Sequence, residues 1–203
     1  IMSNVSPHNS ALALIVDDDT TVRIIMRSVL ESQGIRVNEA GDGVEALQAF
    51  AKETPDIVIL DIEMPEKDGF ETCADIRNDP KGKLVPIMMS TGIDDTDSIN
   101  RAYQAGATDF IIKPINWPIF GHRIRYMLQA AQAMRDHHAA QQTAIRLGKV
   151  IERSSNEVYI CDDHSFKLQQ SNGRARDNLG YSDDEITQLN LCQLLPEISA
   201  LQM

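Results

Sequence analysis

Ile57-Val58-Ile59-Leu60-Asp61-Ile62-Glu63-Met64-Pro65 is the stretch that decides the fold, because its apolar run ends abruptly in a carboxylate. Four apolar residues between Pro55 and a Met-Pro turn are typical of a strand buried on both faces of a parallel sheet. In open α/β sheets, ligands bind beyond the carboxyl ends of the strands. We therefore expect Asp61 at the edge of a ligand crevice, although Asp61 alone is equally consistent with a strand cap.

A second apolar run, Ala11 to Val16, also ends in carboxylates, and strand-like and helix-like segments alternate from Leu12 onward. This alternation predicts an α/β fold with a doubly wound parallel sheet of five strands. Thr20 or Thr21 is predicted to cap the first helix, whose apolar stripe includes Ile25. The other predicted strands are residues 35–40, the run that ends at Asp61, 85–90 and 108–112.

The chain changes character beyond Trp117-Pro118, because residues 119–154 contain no proline. A single helix over that span would be roughly 50 Å long. It is equally consistent with a solvated linker and with a dimeric coiled coil whose a/d positions are Ile124, Met127, Ala131, Met134, His138 and Ile145. Two short strands, 157–161 and 166–170, and short helices from residue 172 are predicted to follow. The predicted regions are a disordered leader (1–10), the α/β domain (11–127), a linker helix (128–153) and a partial α+β segment (154–203).

The net charge of the 203-residue chain is −11, with a pI near 4.8, which argues against a broad basic face that binds nucleic acid. Its three cysteines are far apart in sequence, as is usual in a reducing compartment. No apolar run approaches the ~20 residues of a membrane span. We therefore expect a cytoplasmic protein that binds neither nucleic acid nor membrane.

Polar groups follow four of the predicted strands. Asp17 and Asp18 follow the first, Asp61 the third, Thr91 the fourth and Lys113 the fifth. In a doubly wound sheet these groups converge, and three carboxylates so close together need a cation. Mg²⁺ suits oxygen ligands of this kind, and Lys113 adds a positive charge. The set predicts phosphoryl transfer onto Asp61, with Thr91 as a hydroxyl donor to the phosphoryl group.

Four segments together make residues 12–127 resemble the response-regulator receiver domain. They are Ile15-Val16-Asp17-Asp18, the Asp61 stretch with Asp68-Gly69, Ser90-Thr91-Gly92, and Ala105-Gly106-Ala107 leading to Ile112-Lys113-Pro114. The resemblance implies a flavodoxin-like sheet of order 2-1-3-4-5. It also implies a cis Lys113-Pro114 bond.

The resemblance further implies a role for each matched residue. Asp61 would be phosphorylated by a histidine kinase or a phosphotransfer protein. Mg²⁺ would be held by Asp18, Asp61 and the main-chain carbonyl of Glu63, with Asp17 acting through water. The switch pair would be Thr91 and Phe110, and Phe110 stands where many members have Tyr. Switching would remodel the face of the fourth helix, fifth strand and fifth helix, through which a homodimer would pair its linker helices.

The segment Val150 to Glu197 resembles the first half of a PAS domain, as in Asn156-Glu157-Val158-Tyr159-Ile160-Cys161-Asp162 and Asn178-Leu179-Gly180-Tyr181-Ser182. The junction around Ile115-Asn116-Trp117 resembles receivers joined to PAS, GGDEF and EAL modules that make or destroy cyclic di-GMP. No GGDEF or EAL module is present in this sequence, so that output is expected only of a longer parent protein.

Two other functions fit parts of the pattern. A haloacid-dehalogenase-like phosphatase would have a second Asp two residues after the nucleophile, where this chain has Glu63. A degenerate receiver that acts only as an interaction scaffold fits the same fold. A Rossmann nucleotide-binding domain does not fit, because no Gly-rich loop follows the first strand.

Overall fold

The computed structural model describes residues 10–92 and 96–194. The predicted disordered leader, apart from Ser10, and the end of the predicted α+β segment lie outside the described residues. The chain divides into two compact units, residues 1–135 and 136–203. The domain limits given above stay predictions.

The first unit contains the predicted parallel sheet, with the strand order β2-β1-β3-β4-β5. Its strands are β1 (Leu12–Val16), β2 (Arg36–Ala40), β3 (Ile57–Asp61), β4 (Ile87–Thr91) and β5 (Asp109–Ile112). The helices between the strands are α1 (Thr20–Glu31), α2 (Gly43–Lys52), α3 (Gly69–Asn78) and α4 (Thr96–Gln104), and a 3₁₀ turn spans Pro80–Gly82. Helix α5 (Trp117–Glu152) follows β5 and runs from the first unit into the second. The predicted five-stranded parallel sheet, its strand order and the long helix are confirmed.

The core of the first unit lies on both faces of the sheet, which explains why the central strands are apolar at every position. Leu14 and Leu60 belong to one buried cluster, whereas Ile15 and Ile59 belong to the other. Successive side chains of a strand point to opposite faces, so each cluster takes alternate residues of β1 and β3. A continuous apolar run is therefore what a strand covered by helices on both sides requires.

Two details of α1 differ from the sequence predictions. Asp19 is the N-cap residue, because its carboxylate accepts a hydrogen bond from the backbone N–H of Thr21; the predicted Thr20 or Thr21 cap is wrong. An Asp at this position also interacts favourably with the helix dipole. Ile25 is exposed, and Met26 and Leu30 carry the buried face instead.

Helix α5 packs on the first unit with its N-terminal part. Phe120, Ile124 and Met127 belong to the buried cluster on one face of the sheet, and Ala131 is also buried. Ile124, Met127 and Ala131 therefore cannot form a coiled-coil seam, which corrects the predicted heptad frame. Residues 136–150, which belong to the second unit, are exposed on every side of the helix.

The second unit has an antiparallel pair of strands, β6 (Tyr159–Cys161) and β7 (Leu168–Ser171), as predicted. Three short helices follow, α6 (Gly173–Leu179), α7 (Asp183–Ile186) and α8 (Leu191–Leu194). The buried side chain of Asn172 joins these pieces. Its amide nitrogen donates to the carbonyls of Ile151 and Asn156, and its oxygen accepts from the N–H groups of Val158 and Ala175.

Candidate functional site

The carboxyl edge of the sheet gathers the predicted site residues. Asp17 directly follows β1, Asp61 is the last residue of β3, Thr91 is the last residue of β4, and Lys113 directly follows β5. Asp61 lies opposite Ser90 in the register of β3 and β4. Parallel strands in register end at the same edge, so their terminal side chains meet there.

Lys113 bridges two of the carboxylates. Its Nζ lies 2.8 Å from Asp61 Oδ2 and 3.0 Å from Asp17 Oδ2. Asp17 is 0% exposed and Asp61 is 3% exposed, so the ammonium group compensates two nearly buried charges. The backbone N–H of Lys113 donates to the Thr91 carbonyl at 2.7 Å, which ties the lysine to the end of β4. The Lys113-Pro114 peptide bond is cis, as the resemblance implies.

The second oxygen of each buried carboxylate is also held. Asp61 Oδ1 accepts a hydrogen bond from the backbone N–H of Ile62 at 2.9 Å and one from Ser90 Oγ at 3.3 Å. Asp17 Oδ1 accepts a hydrogen bond from the backbone N–H of Asp19 at 2.9 Å. These contacts fix the directions of both carboxylates before any ligand binds.

The electrostatic environment acts in opposite ways on Asp61 and Lys113. Burial raises the pKa of Asp61 above its ordinary value, although the hydrogen bond from Lys113 partly offsets the effect. Burial by itself lowers the pKa of Lys113, but its hydrogen bonds to Asp61 and Asp17 outweigh this and raise that pKa overall. Lys113 is therefore charged at neutral pH, and Asp61 is a more basic carboxylate than a solvent-exposed one.

The three acids meet the requirements of a divalent cation. One carboxylate oxygen from each of Asp17, Asp18 and Asp61 lies within 4.8 Å of the others. Asp18 is exposed and the other two are buried, so the group opens toward solvent on the Asp18 side. With the Lys113 ammonium, the pocket carries two net negative charges and offers oxygen ligands, which suits Mg²⁺. The side chain of Glu63 is exposed, and the role of its main-chain carbonyl stays a prediction.

The predicted switch residues lie on neighbouring strands but in different surroundings. Thr91 is buried at the carboxyl end of β4, directly after Ser90, which lies opposite Asp61. Phe110, in β5, is half-buried, and its ring meets that of Tyr103 in α4 edge to face, with 6.0 Å between the ring centroids. The structure does not bring Phe110 into the acidic pocket.

Sequence reasoning gave no specific role to two residues that shape the site. Ser90 donates to Asp61, and its position opposite Asp61 in the strand register is the signal that would have found it. Gly69 begins α3, and a Cβ atom there would lie 2.1 Å from the carbonyl oxygen of Asp61. The Asp68-Gly69 pair marked a helix start, but the close approach to Asp61 depends on the folded path of residues 62–68.

This sheet order, with a lysine between acids at its carboxyl edge, defines a signalling receiver domain. The comparison of the sequence with protein families agrees, because residues 13–125 match the response regulator receiver domain. The chain belongs to that family. Domains of this family are phospho-acceptor switches that bind Mg²⁺ at an acidic pocket and interact with histidine kinases and phosphotransfer proteins.

Individual relatives support this assignment. The chain is 41% identical over 116 residues to the probable transcriptional regulator ycf27 of Guillardia theta. The aligned residues make up 57% of this chain and 44% of that protein. It is 29% identical over 168 residues to the response regulator PleD of Caulobacter vibrioides. This alignment covers 79% of this chain and 37% of that protein. The chain thus spans less than half the length of these curated relatives.

Solved structures show the same fold. A putative response regulator from Chloroflexus aurantiacus matches with a TM-score of 0.58 and 36% identity over 60% of this chain and 99% of that one. The Vibrio cholerae chemotaxis protein CheY4 matches with a TM-score of 0.57 and 30% identity over 59% of this chain and 99% of its own. Within the described residues, no helix has the length and apolar character needed to span a bilayer.

Proposed function

We propose that this chain is a phosphorylation-dependent switch in which Asp61 accepts a phosphoryl group from a histidine kinase or a phosphotransfer protein. The observation that carries this proposal is the position of Lys113 Nζ, within 3.0 Å of both Asp61 and Asp17. A lysine in that place neutralises charge on a phosphoryl group attached to Asp61. The buried and oriented carboxylate of Asp61 is a nucleophile prepared for in-line attack.

The transfer forms a bond between an Asp61 carboxylate oxygen and phosphorus, while the bond from phosphorus to the donor breaks and its electron pair leaves with the donor. Ser90 and the Ile62 N–H hold Asp61 Oδ1 during this step. Asp18, Asp61 and the main-chain carbonyl of Glu63 would hold Mg²⁺, with Asp17 acting through water. When bound, the ion would neutralise charge on the phosphoryl oxygens.

The output of the switch depends on Thr91 and Phe110. Attraction of the Thr91 hydroxyl to the phosphoryl group vacates space that the Phe110 ring turns inward to fill. That turn breaks the edge-to-face contact with Tyr103 and so alters the α4 surface. Because Phe110 has no hydroxyl group, packing alone holds its inward position.

The altered surface would pair two copies through α4, β5 and α5 and then through their linker helices. Ile119 and Tyr126 support this proposal, since both are large apolar side chains of α5 that are more than half exposed. Phosphorylation should raise the mass of the particle measured by light scattering. An unchanged mass, with and without a phosphate mimic, would contradict the dimer.

The second unit is proposed to be the front part of a PAS-like domain in a longer protein whose output is cyclic di-GMP turnover. The β6–β7 pair followed by α6 agrees with this interpretation. The test is to express the complete parent reading frame and measure synthesis and hydrolysis of cyclic di-GMP. Absence of both activities would remove this part of the proposal.

The phosphorylation itself is tested with a small phosphodonor and Mg²⁺. The wild-type chain should gain one labile adduct, and Asp61→Asn should not. Asp42→Asn is the matched control, because Asp42 caps α2 through its side chain and Asn caps equally well. Steady release of phosphate would instead indicate a phosphatase of the haloacid-dehalogenase type, and neither adduct nor release would indicate a scaffold.

A further inference from the structure

Arg23, in the first turn of α1, turns its side chain back onto the loop that carries the acids. Its Nη1 donates to the carbonyl oxygen of Asp17 at 2.5 Å and to that of Asp18 at 3.3 Å. Its Nη2 donates to Thr20 Oγ1 at 3.1 Å. The Arg23 side chain is only 15% exposed, and its shortest contact, with the Asp17 carbonyl, is partly buried, where a hydrogen bond is stronger than in water.

Glu39 of β2 holds the other side of the guanidinium group. Glu39 Oε2 lies 3.5 Å from Arg23 Nε, an ion-pair distance without hydrogen-bond geometry, since that Nε is buried without a hydrogen-bond partner. Glu39 Oε1 lies 2.5 Å from Nε of Arg27, one helical turn farther along α1. Arg23 and Arg27 thus share one glutamate. In the described hydrogen bonds of these two arginines, only Arg23 contacts the acidic loop, residues 17–19.

We propose that Arg23 is a positioning residue that orients Asp17 and Asp18 for the divalent cation. The inference rests on the proposed function, because it concerns the same metal pocket. Arg23 donates to the main-chain carbonyls of Asp17 and Asp18, and so holds the backbone from which their carboxylates extend. The directions of these two side chains therefore depend on the hydrogen bonds from Arg23. Asp18 depends on it most, because its side chain is exposed and the other two acids are buried. Groups behind a metal ligand commonly change metal affinity when they are removed.

The charge of Arg23 and its geometry act on the cation in opposite directions. A positive charge close to the pocket repels Mg²⁺, so its loss alone would tighten binding. Loss of the two carbonyl contacts lets the acidic loop move, which weakens binding. Lysine keeps the charge but lacks the fork that reaches two carbonyls at once. The variants Arg23→Lys and Arg23→Met therefore separate the two effects.

The experiment is a calorimetric titration of Mg²⁺ into the full chain and three variants. We expect Arg23→Lys, which keeps the charge, to bind Mg²⁺ about tenfold more weakly than the wild type. Arg23→Met also loses the repelling charge, so its loss of affinity should be smaller than that of Arg23→Lys. Arg27→Met removes the other positively charged partner of Glu39, and Arg27 makes no hydrogen bond to the acidic loop among its described contacts. This variant should bind Mg²⁺ as the wild type does. Unchanged or tighter binding in Arg23→Lys would overturn the proposal. So would an equal loss of affinity in Arg27→Met.

Two further measurements complete the test. In metal-free protein, the amide resonances of Asp18 and Asp19 should shift in both Arg23 variants but not in Arg27→Met; unshifted resonances would overturn the positioning role. With a small phosphodonor, Arg23→Lys should need about tenfold more Mg²⁺ for half-maximal phosphorylation yet reach a near-normal rate at saturation. A wild-type chain that binds Mg²⁺ but never gains phosphate would refute the proposed function and leave the Arg23 inference standing. A wild-type chain that does not bind Mg²⁺ would refute both.

Discussion

Substitution of Gly69 by alanine tests whether the backbone behind Asp61 is as closely packed as the structure shows. The new Cβ atom would lie 2.1 Å from the Asp61 carbonyl oxygen and 2.9 Å from Ile62 Cα. Real contacts of this kind are at least 3.0 Å, so the peptide that follows Asp61 must move by about 1 Å. Gly69 does not have a left-handed backbone conformation, so the clash alone causes the effect.

A displacement of about 1 Å at a reacting group can cost about 100-fold in rate. We therefore expect Gly69→Ala to lower the rate of phosphorylation by a small phosphodonor about 100-fold, and overpacking to lower the free energy of unfolding by about 1–3 kcal/mol. The assay is the time course of adduct formation by intact-protein mass spectrometry at saturating Mg²⁺, with urea unfolding measured in parallel.

Gly148→Ala is the matched control, since a Cβ atom there meets nothing within 4 Å. Gly148 lies inside α5, so the alanine should raise helix stability slightly and leave phosphorylation unchanged. A Gly69→Ala chain that is phosphorylated within threefold of the wild-type rate, with unchanged stability, would show that the approach of α3 to Asp61 is looser than we describe.

Three other properties follow from single residues. Glu66 has a φ of +63°, which is costly for a residue with a Cβ atom, so Glu66→Asn should raise the free energy of urea unfolding by about 1 kcal/mol; an unchanged midpoint would contradict the strain. Burial raises the pKa of the Cys73 thiol to about 11 from 9.0, so in native protein at pH 8 peptide maps should show alkylation of Cys161 well before that of Cys73. Because the thiol ionises at lower pH in the unfolded chain than in the folded one, Cys73 should also make the free energy of unfolding fall as the pH rises above about 9. Asn172→Ala removes four hydrogen bonds, worth about 1 kcal/mol each, so the amides of Val158 and Ala175 should lose their protection from hydrogen exchange while those of β1 keep theirs. Equal protection of these amides in the variant and the wild type would refute the joining role of Asn172.

The fold could be predicted from the sequence because the central strands leave little choice. Strands β1 and β3 are apolar throughout, and only a sheet covered on both faces buries such runs. The N-cap of α1 was predicted wrongly because Asp19, Thr20 and Thr21 are all good caps, and only the folded path of the loop selects Asp19. The first three positions of the heptad frame were predicted wrongly for a similar reason. An apolar stripe has the same spacing whether it packs on a sheet, as Ile124 does, or on a partner helix.

The site was predictable to the extent that its groups come from strand ends. Asp17, Asp61 and Lys113 meet because three parallel strands end at one edge of the sheet. The strand register alone places these residues there, so their positions in the sequence are enough to predict that they meet. Arg23 carries no such signal, since an arginine on an amphipathic helix usually faces solvent. It reaches the Asp17 carbonyl only because α1 begins immediately after the loop and Glu39 of the neighbouring strand faces it.

The shared lysine has a consequence for the proposed switch. Lys113 serves Asp17 and Asp61 together, and a phosphoryl group on Asp61 carries more negative charge than the carboxylate it modifies. The ammonium is then drawn toward the phosphoryl oxygens, and buried Asp17 is left with less compensation. The Lys113 backbone N–H is bonded to the Thr91 carbonyl at 2.7 Å, so a shift of the lysine backbone is also felt at the end of β4. Under the proposed switch, charge added at Asp61 would therefore act on Thr91 by two routes, through its hydroxyl group and through the strand that carries it.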